Sequence, residues 1–305
     1  MHNHTHHHHH QSLPERQVRV FMAGVLVNLA FVAVEALAAS WSNSMALWSD
    51  AAHNLSDVFG LLLSLFAFRL SSGKQHRSYT YGYAKSTVLA GLLNSLLLLL
   101  MVVLLMRTTI LRFNQVQEIQ GQWVVITSAA GILVNGFTAW LFIRDGSHSH
   151  DINVRAAFLH MAADALVSLG VLISGLIVMY TGWTLTDPIM GFLIALVILF
   201  GTYRLLLESV RLALDGIPHG IDPEAVHSEA LKVNGVQNIH HLHIWAIGSM
   251  RNAITMHVLL KAEVDRMREQ EIKEELRHRL EHLNIQHATI ETEFTPCAEE
   301  DCTVG

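Results

Sequence analysis

Two short segments of the chain repeat one chemical pattern. His53-Asn54-Leu55-Ser56-Asp57 and His160-Met161-Ala162-Ala163-Asp164 both place a histidine four residues before an aspartate. On an α-helix that spacing puts the two side chains on one face, one turn apart. Two such faces offer two imidazoles and two carboxylates, a donor set suited to a tetrahedral site for a borderline divalent ion such as Zn²⁺. The charges also close, because two carboxylates neutralise a dication in a medium of low dielectric. Histidine must be neutral and aspartate ionised to hold a metal, so protons compete with the metal for the same atoms. The other use of such a pattern is a pair of interhelical His–Asp hydrogen bonds that only hold a bundle together. Duplication of the motif favours the metal reading.

The elements that must position these residues are membrane spans. Of 305 residues, 51% are apolar and 15% charged, against roughly 25% charged in a soluble globular domain. Six segments approach the ~20 apolar residues needed to cross ~30 Å of hydrocarbon. They are residues 20–41, 45–68, 87–106, 123–143, 156–180 and 188–203. The third and fourth carry no charge, whereas the second holds Asp50, His53 and Asp57 and the fifth holds His160 and Asp164. An Asp at the centre of a span costs from roughly 2.5 kcal/mol upward, so such residues are functional by default. Glu35, Asn28, Asn94 and Asn135 stand singly in other spans and read as packing residues, and Asp50 as a capping, entry or supporting residue.

Six spans place both termini on one side. Arg16, Arg19, Arg69, Lys74, Arg77, Lys85, Arg144 and Arg155 fall on that side, and only Arg107 and Arg112 on the other. The positive-inside rule makes the first side cytoplasmic, and the plasma (inner) membrane of a bacterium is the expected location. In this topology the second span runs inward and the fifth outward. His53 and Asp164 then lie about 16 Å from the cytoplasmic surface, and Asp57 and His160 about 10 Å. The two motifs are level and can surround one point.

The rest of the chain bounds the function. Lys and Arg number 20 against 26 Asp and Glu, which leaves no basic footprint for nucleic acid. Neither H-E-x-x-H nor G-x-S-x-G occurs in the spans, which argues against a membrane hydrolase. The first apolar stretch has the length of a span, not of a signal-peptide core. Seven of the 21 histidines lie in the first ten residues, as either a purification tag or a cytoplasmic metal-gathering arm. The division is therefore a His-rich segment over 1–16, a six-helix transmembrane domain over 17–208 and a cytoplasmic domain over 209–305.

In that last part charge returns, and Asp222 before Pro223 predicts a capped helix running to Val233. Residues 236–247 and 252–260 alternate as strands around Gly248-Ser249, 264–283 is an amphipathic helix with Met267, Leu276, Leu280 and Leu283 inward, and 289–294 is a last strand. The fold class is thus an α-helical membrane protein with six transmembrane helices plus a cytoplasmic α+β domain of order α-β-β-α-β.

At SDAAHNLSD, YTYGYAKS, NVRAAFLHMAADALVSLGV, DPIMGFLIALVIL and HLHIWAI, taken in order, the chain resembles the cation diffusion facilitator family in its zinc-preferring branch. The resemblance covers nearly everything after residue 15. It implies a homodimeric zinc/proton antiporter that exports metal by alternating access, also accepting Cd²⁺ or Co²⁺, with a metallochaperone-like cytoplasmic domain and Zn²⁺ in a regulatory as well as a transported role. It places the transport site on His53, Asp57, His160 and Asp164. A cytoplasmic metal site falls on His240, His257 and Glu293, with surface histidines as the alternative. A charge interlock between protomers falls on Lys85 and Asp215. Cys297 and Cys302 resemble terminal thiols that bind zinc in some members. Tyr79 and Tyr83 stand where some members have loop histidines, so no metal site is expected there, and Ser86 replaces a common acid. On strand alternation, His241 and His243 should face away from His240. The competing function is a membrane metal sensor or scaffold whose cytoplasmic domain binds metal and recruits a partner.

Overall fold

The structure is a computed structural model that describes residues 15–73, 76–113, 118–144, 152–249 and 251–295, without the side chains of 15–25, 138–139, 141–144 and 152–160. Six long helices come first: α1 (Glu15–Ser42), α2 (Met45–Ser71), α3 (Ser86–Arg112), α4 (Gly121–Arg144), α5 (Ile152–Thr181) and α6 (Thr186–Ala213). Among the described residues, four segments are long and apolar enough to cross a membrane, namely Met45–Ser71, Ser86–Arg112, Met161–Thr181 and Thr186–Ala213. The described parts of α1 and α4 contribute the shorter apolar helices Leu26–Ser42 and Gly121–Phe137. After these come α7 (Pro223–Leu231), β1 (Val236–Gly248), β2 (Arg251–Leu260), α8 (Arg266–His282) and β3 (His287–Glu293).

The chain forms two compact units. One holds the residues up to Phe59 together with Met101–Leu199, and the other holds Gly60–Leu100 together with Phe200–Gly305.

In the first unit α4 packs against α5 and α1. Without a hydrophobic drive between helices in lipid, close approach relies on small side chains. Gly121 and Gly175 supply it here: a Cβ on Gly175 would lie 2.9 Å from Val124 Cγ1, and one on Gly121 would lie 2.9 Å from the Gly175 carbonyl oxygen. Ala38, Ala39, Leu47, Val102, Val124, Val171 and Ala195 form the buried centre of this unit. At the start of α2, Ser44 Oγ accepts from Leu47 N at 3.1 Å, satisfying one free donor of the first turn. Ser44 in turn donates to the Asp187 carboxylate of α6. Asp187 also accepts from Met45 N at 2.6 Å, so a negative charge faces the positive end of α2.

In the second unit β1 and β2 pair antiparallel and β2 and β3 parallel, in the order β1-β2-β3. Ile254, Met256, Val258 and Leu260 point from β2 into a core with Val226, Ala230, Ile272, Leu276 and Leu280 of the helices. Asp222 caps α7 by accepting from Glu224 N at 3.0 Å, with Pro223 in the first turn. Asp265 caps α8 by accepting from Arg268 N at 2.8 Å. Met267, expected inward, is 76% exposed. With α8 beginning at Arg266, its inward stripe runs Ile272, Leu276, Leu280, and residue 267 lies off that face.

Candidate metal centre

Helix geometry alone brings His53 and Asp57 to one side of α2, and the packing of the first unit brings Asp164 of α5 to meet them. His53 Nε2 lies 3.2 Å from Asp164 Oδ1 and 3.9 Å from Asp57 Oδ2. One ligand atom from each of these three residues lies within 4.8 Å of the others. Two ligands on a tetrahedral Zn²⁺ at ~2.0–2.1 Å are about 3.4 Å apart, so the group is sized for one ion. The Asp164 side chain is 3% exposed and that of Asp57 35%, although the Asp57 oxygen nearest His53 is itself buried. His160 lies on α5 one turn before Asp164. Its side chain is outside the described residues, so the structure brings together three of the four residues that the sequence proposes.

Around this group Glu35 makes the expected packing hydrogen bond, accepting from Asn54 of α2. It does not stand alone. Glu35 and Asp50 are both fully buried, and the residue that binds Glu35, Asn54, is one turn after Asp50 on α2. Asn54 Nδ2 donates to Glu35 Oε2 at 3.0 Å and Ser168 Oγ donates to Asp50 Oδ2 at 2.9 Å. Asp50 is therefore not a helix cap; Ser44 and Asp187 serve the α2 N-terminus. The sequence signal for Glu35 was its acid in an apolar stretch, but nothing local tied it to α2.

The second unit carries another ligand group. His240 and His257 are cross-strand partners, and β3 lies parallel to β2 with His257 beside Glu291. Side chains two apart on a strand share a face, so Glu293 joins them on the side away from the helices. His257 Nδ1 lies 2.6 Å from Glu293 Oε1, and His240 Nε2 lies 3.1 Å from Glu293 Oε2. These three offer ligand atoms within 4.8 Å of one another. The sequence missed two neighbours. Glu291 reaches within 3.5 Å of His257 Nε2. His241, expected on the opposite face, has its ring 4.9 Å from that of His257. The reason is a register shift between His240 and His243 with a positive φ of 49° at His241, which breaks strand alternation as a bulge does. His243 is exposed.

Lys85 and Asp215 form an ion pair within one chain, and Lys85 Nζ also donates to the Ala246 carbonyl at 3.1 Å. Their side chains are 34% and 65% exposed, a setting in which such pairs contribute about 0.2–1 kcal/mol. Cys297, Cys302 and the histidines of the first ten residues lie outside the described residues. Away from the membrane helices, Glu269 is held below the ordinary carboxylate range by a hydrogen bond from Lys273 and another from Thr292.

Residues 21–212 match the cation efflux transmembrane domain, and residues 218–294 match the cytoplasmic domain of cation efflux proteins. The zinc transporter ZitB of Escherichia coli K12 is 34% identical over 302 residues, covering 98% of this chain and 95% of that protein. The cadmium, cobalt and zinc/H⁺-K⁺ antiporter of Bacillus subtilis 168 is 30% identical, covering 90% of this chain and 88% of the relative. The metal cation efflux system protein CzcD of Cupriavidus metallidurans CH34 is also 30% identical, over 98% and 92%. With both its membrane and its cytoplasmic parts matched, the chain belongs to the cation efflux family.

Proposed function

We propose that the chain exports a divalent cation, Zn²⁺ foremost and Cd²⁺ or Co²⁺ as well, from the cytoplasm in exchange for protons. It works as a secondary active transporter and not as an enzyme. The observation that carries this reading is the convergence of His53, Asp57 and Asp164 from two helices onto one point inside membrane-spanning segments. Relatives named for zinc transport and for cadmium, cobalt and zinc exchange support the cargo. His160, one turn before Asp164, completes the proposed donor set. Protonation of these groups expels the ion, and metal binding expels the protons, so opening the site alternately to the two sides couples the flows. Zn²⁺ here is cargo.

The remaining assignments complete this proposal. Both termini face the cytoplasm, in the inner membrane of a bacterium, and the protein works as a homodimer in lipid, a state that a cytoplasmic domain of this family supports. His240, His257 and Glu293 hold a regulatory Zn²⁺, Lys85 and Asp215 tie the membrane–cytoplasm junction, and Cys297 with Cys302 add thiolate ligands. The test is flux into everted vesicles loaded with a zinc dye. Asp57→Ala and Asp164→Ala are expected to abolish pH-driven uptake, and normal uptake by either variant refutes the reading. A membrane metal sensor is the second reading, favoured by the separate ligand group on the sheet. It requires metal binding with no flux in the same vesicles.

A further inference from the structure

Glu35 and Asp50 have one oxygen each supplied with a donor, Asn54 Nδ2 for Glu35 Oε2 and Ser168 Oγ for Asp50 Oδ2. Their other oxygens, Glu35 Oε1 and Asp50 Oδ1, are buried without a hydrogen-bond partner. Asn54 lies one turn after Asp50 on α2, so its bond to Glu35 brings the two carboxyl groups to the same face of that helix, and neither residue is exposed at all. Two ionised carboxylates buried on one helix face, away from water, repel strongly and leave two acceptors with no donor. A single proton between them removes both penalties at once.

We propose that Glu35 and Asp50 share one proton that is released when metal loads the His53–Asp57–Asp164 site, making the pair a proton store separate from the metal ligands. This rests on the transport-site reading above. Asp50 is one helical turn before His53 on α2, and Ser168, its donor, is one turn after Asp164 on α5. The pair and the metal site therefore share two helices. The ionisable groups that face the pair are His53, one turn after Asp50 on α2, and Asp164, one turn before Ser168 on α5. From α4, the described neighbour near Ser168 is the uncharged Gly131.

In the empty site the pair carries one negative charge and one proton. When a dication enters, its field stabilises a second carboxylate nearby. The O–H bond of the shared proton then breaks, both electrons stay on oxygen, and the proton passes to water. No oxidant or reductant is involved. By linkage, reprotonating the pair weakens metal binding by the same factor, which helps to expel the ion on an acidic side.

The experiment uses the full-length chain in detergent and Zn²⁺ as the probe. Calorimetric titration in buffers of different ionisation enthalpy counts the protons released per Zn²⁺ bound. Glu35→Gln and Asp50→Asn keep the shape and a hydrogen bond but cannot share a proton as an acid pair does. Each is expected to bind Zn²⁺ while releasing about one proton fewer than the wild type. A wild-type count in both variants overturns the proposal, because a purely structural role does not move this readout. Infrared difference spectra of the wild type on Zn²⁺ loading give a test independent of variant folding: loss of a protonated-carboxyl C=O band is expected, and no loss overturns it. Asp57→Asn separates the two readings. If it transports normally, the transport site itself is wrong; if it is inactive while the Glu35 and Asp50 variants keep the full count, only the proton store is wrong.

Discussion

His53 stands between two carboxylates, one from its own helix and one from α5, so in the proposed site its imidazole is a nitrogen donor set among oxygens. Replacing it by oxygen changes the donor chemistry without removing the site. His53→Asp is expected to raise Mn²⁺ flux relative to Zn²⁺ and Cd²⁺, since oxygen-rich sites suit Mn²⁺. Identical flux ratios in variant and wild type refute this. In the cytoplasmic domain His257 touches Glu293 through one ring nitrogen and Glu291 through the other. His257→Ala should therefore lower the Zn²⁺ bound per chain by about one in equilibrium dialysis, as a three-ligand group loses its central member. An unchanged stoichiometry would show that the sheet cluster is only a hydrogen-bonded surface network.

Among the elements, α5 has to be held firmly, because it presents Asp164 to α2. Its seating on α4 depends on Gly175, where a Cβ would meet Val124 and Val125 within 3.2 Å. Gly175→Leu overpacks that contact at a cost of about 1–3 kcal/mol. A lowered Tm in detergent and reduced flux are the expected outcomes, and an unshifted Tm would remove the close approach as a determinant. On α8, the Glu269 carboxyl is depressed by Lys273 and by Thr292 of β3, linking helix to sheet edge. A depressed carboxylate adds stability above its unfolded value and loses it as pH falls through the folded value. Amide-exchange protection of α8 in the full chain should thus fall on acidification, and Glu269→Gln should flatten that fall. The group is half-buried at the surface, so the effect is small, and an equal pH response in both proteins rejects it.

At the scale of the whole molecule, the proposed exchange couples a metal gradient to a proton gradient. Zn²⁺ accumulation in everted vesicles should require an acidic interior and collapse when an ionophore dissipates the pH difference. Accumulation that persists without the pH difference rejects proton exchange. The family's cytoplasmic domain and the apolar helices together describe a membrane-anchored exporter.

The local features of this protein were legible in the chain. Hydropathy marks the long helices, because ~20 apolar residues have few other uses, and the i,i+4 spacing puts His53 with Asp57 on one face without any tertiary contact. The caps Asp222 and Asp265 likewise act within a turn of their own position. Convergence depends on packing between segments distant in sequence. Only the tertiary structure joined Glu35 to α2 through Asn54, seated Asp187 of α6 at the start of α2, and turned His241 toward His257 through a bulge. The sequence by itself determined which residues could hold a metal, because ligand type and helical period are local. The fold decided which of them meet, and which buried acids stand beside them, because burial and approach come from helices and strands that no local pattern places side by side.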